Sequence, residues 1–226
     1  MHMPISSDLQ QRNPTGELYE SIQLAFEFMN EELFDGCLPN CLITLQRRRS
    51  SYGYFAAQRF VSREQKHYCD EIALNPLHFS QRPILEILAT LGHEMCHLYQ
   101  QHFGNPGRGR YHNKEWASVM KNIGLQPTAT GSKGGKETGD RVSQLIVDTG
   151  PFDDCARRLI EGGFAIHWHE QLTGILNEAA DGQEIPKDKN GKRVKYSCPS
   201  CALNVWARHG AKIDCHAHGL LLLPSK

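Results

Sequence analysis

The sequence predicts an α+β protein: one sizeable domain followed by a small appendage held by metal. Three observations carry this reading. Short runs rich in β-branched and aromatic residues lie between two helical stretches; the second helical stretch bears His93-Glu94-Met95-Cys96-His97; and the C-terminal end holds Cys198-x2-Cys201 and Cys215-x2-His218. A chain of 226 residues is long enough for such an arrangement. Its 39% hydrophobic and 22% charged residues suit a globular protein and exclude a disordered or fibrous one.

Taken in order, "GELYESIQLAFEFMNEELFDGCLP" places Leu18, Ile22, Ala25, Phe26, Met29 and Leu33 near helical spacing and stops at Gly36 and Pro39. "CLITLQRR", "YGYFAAQRFV" and "EIALNP" read as three strands bounded by turn signals. "PILEILATLGHEMCHLYQQHFG" opens with Pro83 in the first turn and ends at Gly104; its apolar first half predicts burial. "NPGRGRYHN" is a loop, and "KEWASVMKNIG" a short helix ending at Gly124. "TATGSKGGKETGD" has no periodicity and reads as a mobile loop. "SQLIVDTGPFDDCARRLIEGGFAIHWHE" gives a strand, a helix opening near Pro151 and another strand, which sets His167 and His169 on one strand face. A polar linker, "DGQEIPKDKNGKR", precedes the last segment. The domains expected are residues 1–125, an α/β insert or extension at 126–185, and a zinc-binding end at 186–226.

Several classes fall away. No apolar run approaches the roughly 18 residues that span a bilayer, and "MHMPISSDLQQRN" lacks the basic and apolar regions of a secretory signal. Eight cysteines in such a chain read as reduced thiols and metal ligands, which makes the cytoplasm the expected compartment. Cys37, Cys41, Cys69, Cys96 and Cys155 read as scattered buried thiols. Charge is uneven: residues 1–40 carry seven Asp/Glu against one Arg, and residues 186–226 eight Lys/Arg against two Asp. The basic end suits an anionic partner such as DNA.

On a helix, residues four apart lie about 40° apart in projection, so His93 and His97 reach one metal ion together. Glu94 is offset by about 100°, placed for a metal-activated water rather than the metal. That pattern points to zinc with Glu94 as general base. His102 lies about 180° from His93 and faces away. His112 follows "GNPGRG", whose glycines and proline can turn the chain back, and is the favoured third ligand. Glu115 is the competing donor, or a partner that orients a ligand. Tyr111, Arg108 and Arg110 are candidates for stabilising an oxyanion.

At the C-terminus, thirteen residues separate the two ligand pairs, as in a structural zinc ribbon. Cys198, Cys201, Cys215 and His218 are the expected ligands, with His216 the rival for the last place and His209 a weaker one. So small a unit buries little core, so metal supplies most of its folding energy, roughly 10 kcal/mol or more. Trp168 and Trp206 read as packing residues.

"HEMCH", the Gly-rich loop and "YHNKEW" resemble the SprT-like (Spartan-type) zinc metalloproteases, over most of residues 15–125. The resemblance implies a minimal zincin-like domain, a small sheet flanked by helices, with His93, His97 and His112 on zinc and Glu94 as base. The chain departs from the family at "YHNKEW", where Gly and Pro usually surround that His. A C-terminal zinc ribbon is also common there, and "TGDRVSQLIVDTGPFDDCARRLIEGGF" resembles the longer bacterial and mobile-element members. Two Zn2+ ions, one catalytic and one structural, are thus expected.

Three functions are expected to compete. The first is a zinc endopeptidase acting on protein substrates, including those associated with or crosslinked to DNA. The second is a narrowly specific processing protease for a regulatory partner. The third is a non-catalytic DNA- or protein-binding adaptor, against which the retention of Glu94 counts, since no structural site needs that acid.

Overall fold

The computed structural model describes residues 13–48, 51–170, 194–198, 200–201, 203–207, 213–218, 220–221 and 223–224. The chain divides into two compact units, residues 1–174 and 175–226. The polar linker expected at 181–193, and His209, lie outside the described residues.

The first unit is mixed α and β. Helix α1, Pro14–Phe34, begins where the Asn13 side chain accepts from the Gly16 amide, with Pro14 in its first turn. It ends at Asp35 in a left-handed conformation. Its inward face buries Ile22, Ala25, Phe26 and Met29. Strands β1 (Leu42–Leu45), β2 (Gly53–Val61) and β3 (Tyr68–Leu74) form one sheet in the order β1-β3-β2. β3 is central, parallel to β1 and antiparallel to β2, and is buried from Asp70 onward. β2 is an edge strand. Its register slips between Ala56 and Phe60, where Gln58 has φ +49° and its amide donates to the buried Asp70 carboxylate at 2.6 Å.

Helix α2, Ile84–Phe103, packs on β2 and β3 and also meets α1, α3 and α4. Ile87, Leu88, Ala89, Leu91, Met95 and Leu98 are buried, each large side chain contributing about 1.5–3 kcal/mol relative to exposure. Asp70 reaches the far end of this helix and bonds His102 at 2.6 Å. His102 therefore faces the sheet's bulge, away from His93.

Helix α3 (Lys114–Asn122) leads directly into β4 (Leu125–Thr128), which pairs antiparallel with β5 (Ser143–Ile146); α4 follows at Pro151–Glu161. Sequence reasoning sets 126–185 apart as an insert or extension. The described part of that segment shares the first unit's core: Val142, Phe152, Cys155, Ala156, Leu159 and Phe164 belong to the same buried cluster as α1 and α2. The boundary expected at residue 125 thus falls inside β4.

Four local expectations need correction. The "TATGSKGGKETGD" loop is fastened: Glu137 accepts from Lys121 and Gln126 at 2.9 Å each, and the Ala129 amide donates to Lys136. Residues 164–170 form no strand; Trp168 donates to Glu17 at 2.8 Å and Glu170 accepts from Arg47 at 3.0 Å, so the segment runs back along α1. Cys37 is exposed, Cys41 and Cys69 are half-buried, and only Cys96 and Cys155 of the scattered set are buried. Trp206 is 58% exposed rather than packed, and Trp168 is also exposed.

The second unit contains β6 (Val194–Ser197), β7 (Asn204–Ala207), β8 (Asp214–Cys215), β9 (Leu220–Leu221) and β10 (Leu223–Pro224). β6 lies between β10 and β7, and β8 pairs with β9. Its buried cluster is Tyr196, Cys198 and Cys215. No helix among the described residues is long and apolar enough to cross a membrane.

Candidate metal centre

His93 and His97 project from one face of α2, and His112 arrives from the segment just before α3. The ligand-capable atoms of these three residues lie within 4.8 Å of one another. His93 Nε2 and His112 Nε2 are 3.3 Å apart. His93 and His112 are buried and His97 nearly so.

The turn that returns His112 is held by a polar network. Gln100, seven residues after His93 and on the same helix face, donates to Asn113 at 2.8 Å and to the Asn105 carbonyl at 3.2 Å. Asn113 caps α3 by accepting from the Trp116 amide at 2.9 Å. Glu115 accepts from the Asn105 amide at 2.7 Å. It therefore faces the 104–105 turn, not the three imidazoles, and its place is in the loop's fastening. Tyr111 is 44% exposed, and Arg108 and Arg110 are also exposed.

Trp116, wholly buried in the first turn of α3, is the floor of the cluster. Its ring lies 4.8 Å from His93, 5.1 Å from His97 and 4.3 Å from His112, centroid to centroid. Phe55 of β2 stacks on His97 from another side, at 6.3 Å. His93 Nδ1 lies 3.0 Å from Gln144 Oε1, and His112 Nδ1 lies 2.9 Å from the Gly139 carbonyl. Gln100, Trp116, Gly139 and Gln144 were not marked by sequence reasoning. Gln100 had a signal in its helical phase with His93; Gly139 and Gln144 had none.

Electrostatics follow from burial. Burial, aided by His112, drives His93 down to about 3, against the hydrogen bond its ring makes to the Gln144 side-chain oxygen. His97 is lowered by burial and by both neighbouring imidazoles. Burial also lowers His112, opposed by the Gly139 carbonyl and Asp140. All three are neutral at neutral pH, the form that ligates a metal. Glu94, beside them and 5% exposed, is pushed up to about 8 by burial, offset in part by a hydrogen bond from the Phe55 backbone amide.

β2 comes close to Glu94 at Gly53. A Cβ there would stand 2.8 Å from the Ala73 carbonyl oxygen and 3.2 Å from Glu94 Oε1. The glycine lets the edge strand lie against the carboxylate.

The second unit brings Cys198, Cys201, Cys215 and His218 together. Cys201 and Cys215 sulfurs are 3.8 Å apart; His218 Nδ1 is 3.4 Å from Cys215 and 3.9 Å from Cys198. The Cys198 thiol is drawn down to about 7 by the backbone amides of Cys201 and Ser200. His218 is the fourth member of this group, and His216 is exposed and outside it.

The fold and the two donor sets define an α+β protein with two candidate metal centres. The SprT-like family model matches residues 22–133. A Salmonella typhimurium protein described as "Uncharacterized protein in mucB 3'region" is 52% identical over 59 residues, which cover 26% of this chain and 80% of that relative. The chain belongs to the SprT-like family. His93, Glu94, His97 and His112 all lie inside the matched span; Gly139 and Gln144 lie beyond it.

Proposed function

We propose that this chain is a zinc-dependent endopeptidase of minimal zincin-like architecture, with a structural zinc ribbon at its C-terminus. One observation carries the reading: the 3.3 Å between His93 Nε2 and His112 Nε2, with Glu94 alongside. Two nitrogens bound at about 2.0–2.1 Å on a zinc tetrahedron stand roughly 3.3–3.4 Å apart. Three protein donors, not four, are the complement that would hold a catalytic zinc. The second cluster supports a closed Cys3His site, because sulfurs at about 2.3 Å from tetrahedral zinc stand roughly 3.8 Å apart, the separation of Cys201 and Cys215.

Zinc, when bound, polarises the scissile carbonyl and brings its water's pKa to about 7. The chain's own residues do the rest. With a cation beside it to favour its charged form, Glu94 would take the proton of the attacking water on a carboxylate oxygen and pass it to the leaving amine. The Phe55 amide holds that carboxylate, and Gly53 keeps β2 close to it. β2 is the edge of its sheet among the described residues, so an extended peptide laid along it as an added strand would pass Glu94 and the three imidazoles.

DNA-associated proteins are the substrate class this reading favours. Lys195 and Trp206 face each other across β6 and β7, Trp206 largely exposed, and residues 186–226 are basic. A cationic side chain beside an exposed indole suits a stacked base, worth about 1–3 kcal/mol. Binding of single-stranded DNA should then weaken steeply with salt and with Trp206→Ala. Salt-independent binding, or none, favours a processing protease for a single protein partner.

The test of catalysis is Glu94→Gln with metal quantification. Cleavage of an unfolded protein substrate should vanish while zinc stays at two per chain. Cleavage at the wild-type rate by the variant would falsify Glu94 as base. A zinc-loaded wild type that cleaves nothing, with or without DNA, would point to the adaptor.

A further inference from the structure

The two fastenings of the His cluster come from residues beyond the span that the family model matches. His93 Nδ1 meets Gln144 Oε1 on β5 at 3.0 Å, and His112 Nδ1 meets the Gly139 carbonyl at 2.9 Å. Gly139 and His112 also exchange both backbone hydrogen bonds, His112 N to Gly139 O at 2.9 Å and Gly139 N to His112 O at 3.0 Å. Gly139 has φ +140°, where L side chains are strained. The segment is itself pinned: Glu137, two residues before Gly139, is clamped by Lys121 of α3 and Gln126 of β4, and β5 is paired with β4 along its length.

Chemistry gives these contacts a direction. A carbonyl oxygen only accepts, so each Nδ1 that meets one carries the proton and donates it. The opposite nitrogen, Nε2, then holds the free lone pair. In both residues this nitrogen faces the shared point, as the 3.3 Å between them records. His97 has its ring held instead by Phe55 and Trp116. An amide on a half-buried strand position is not required for packing β5; an acceptor at that reach is required to fix the His93 ring.

We infer that Gln144, together with the Gly139 carbonyl, is the positioning group of this metal centre, so that residues 134–146 are a working part of the site rather than an appendage to the family domain. The inference rests on the reading of His93, His97 and His112 as zinc ligands. Outer partners of this kind fix the tautomer and ring orientation of a ligating His, and their loss typically weakens metal binding by about 10–100-fold.

The experiment titrates Zn2+, against a competing chelator, into the metal-free full-length chain while the ring nitrogens of His93 and His112 are followed by 15N NMR. In the wild type, both rings should be Nδ1–H tautomers before metal is added. Gln144→Met, similar in length but without the amide acceptor, should release the His93 tautomer and weaken zinc at this site about 10–100-fold, leaving the Cys198 cluster's zinc unchanged. Gln144→Glu, which keeps an acceptor at the same reach, should restore both. Should Gln144→Met fail to fold, Gln144→Asn decides: one methylene shorter, it stays polar but loses the contact, and should weaken zinc as Met does. Wild-type affinity and tautomer in Gln144→Met, or in Gln144→Asn where Met does not fold, overturn the inference while the zinc reading stands. No zinc-dependent change at His93 in the wild type overturns the zinc reading itself, and this inference with it.

Discussion

Truncating Trp116 to Ala tests whether one indole holds the three imidazoles. The side chain is fully buried and lies within 5.1 Å of all three His rings, centroid to centroid. Deleting a buried Trp costs about 3–5 kcal/mol, a large share of the roughly 5–15 kcal/mol that holds a domain together. At about 2–4 °C per kcal/mol for a domain of this size, the first unit should melt roughly 6–20 °C lower. The indole N–H has no hydrogen-bond partner among the described residues, an unfavourable feature that Phe would remove while keeping a ring under the imidazoles. Trp116→Phe should therefore stay close to wild type in stability. Circular-dichroism melts of metal-free protein give the first quantity, and zinc competition at the His site the second. A Trp116→Ala variant that melts low but binds zinc within threefold of wild type would show Trp116 to be core alone, and the account of it as the cluster's floor would be wrong.

Three further outcomes follow from the same geometry. Gly53→Ala should abolish the proposed peptidase activity with the zinc content intact, since its Cβ would stand 2.8 Å from the Ala73 carbonyl oxygen and displace β2 from Glu94; wild-type kcat/KM would refute the close approach. Burial raises the Glu94 carboxyl to about 8, above its ordinary value of 4.5. The protonated form thus stabilises the metal-free fold fully below that ordinary value, and the contribution is lost as pH rises through about 8. Wild type should accordingly lose stability relative to Glu94→Gln across that window, and parallel pH profiles would contradict it. At pH 8, a thiol alkylator should label the exposed Cys37 before Cys41, raised by burial to about 12, Cys155, raised to about 11, and Cys96, raised well above the ordinary thiol value; peptide mapping by mass spectrometry reads the order.

What sequence showed and what it hid divide by the range of the interaction. The helix carrying His93 and His97 is a local pattern, legible because helical phase repeats within a turn. The return of His112 was legible from the turn residues before it. Gln100 was legible in principle, sharing His93's phase, but a glutamine near a helix end has no distinguishing chemistry until Asn113 stands opposite. Gln144 lies 51 residues from His93, across a Gly- and Thr-rich stretch with no periodicity, so nothing local could pair them. "FAIHWHE" alternates as a strand does, yet it pairs with no strand among the described residues and is held by side chains to Glu17 and Arg47. A lone Trp in sequence reads as packing because large aromatics usually pack; on β7 Trp206 sits opposite Lys195, while Tyr196, Cys198 and Cys215 form the small core.

The separation of the fastening residues also fixes an order of events in time. Helices form within about a microsecond, so α2 presents its imidazoles almost as soon as it can pack. Synthesis at about 5–20 residues per second adds the 51 residues between His93 and Gln144 in about 3–10 seconds. Gly139 comes first, 27 residues after His112. A growing chain therefore spends seconds with its His-bearing helix made and His93 still without its Nδ1 partner. His93 and His112 gain these partners only when the β4–β5 pair and the segment between its strands dock, which makes completion of the first unit the step that sets the cluster.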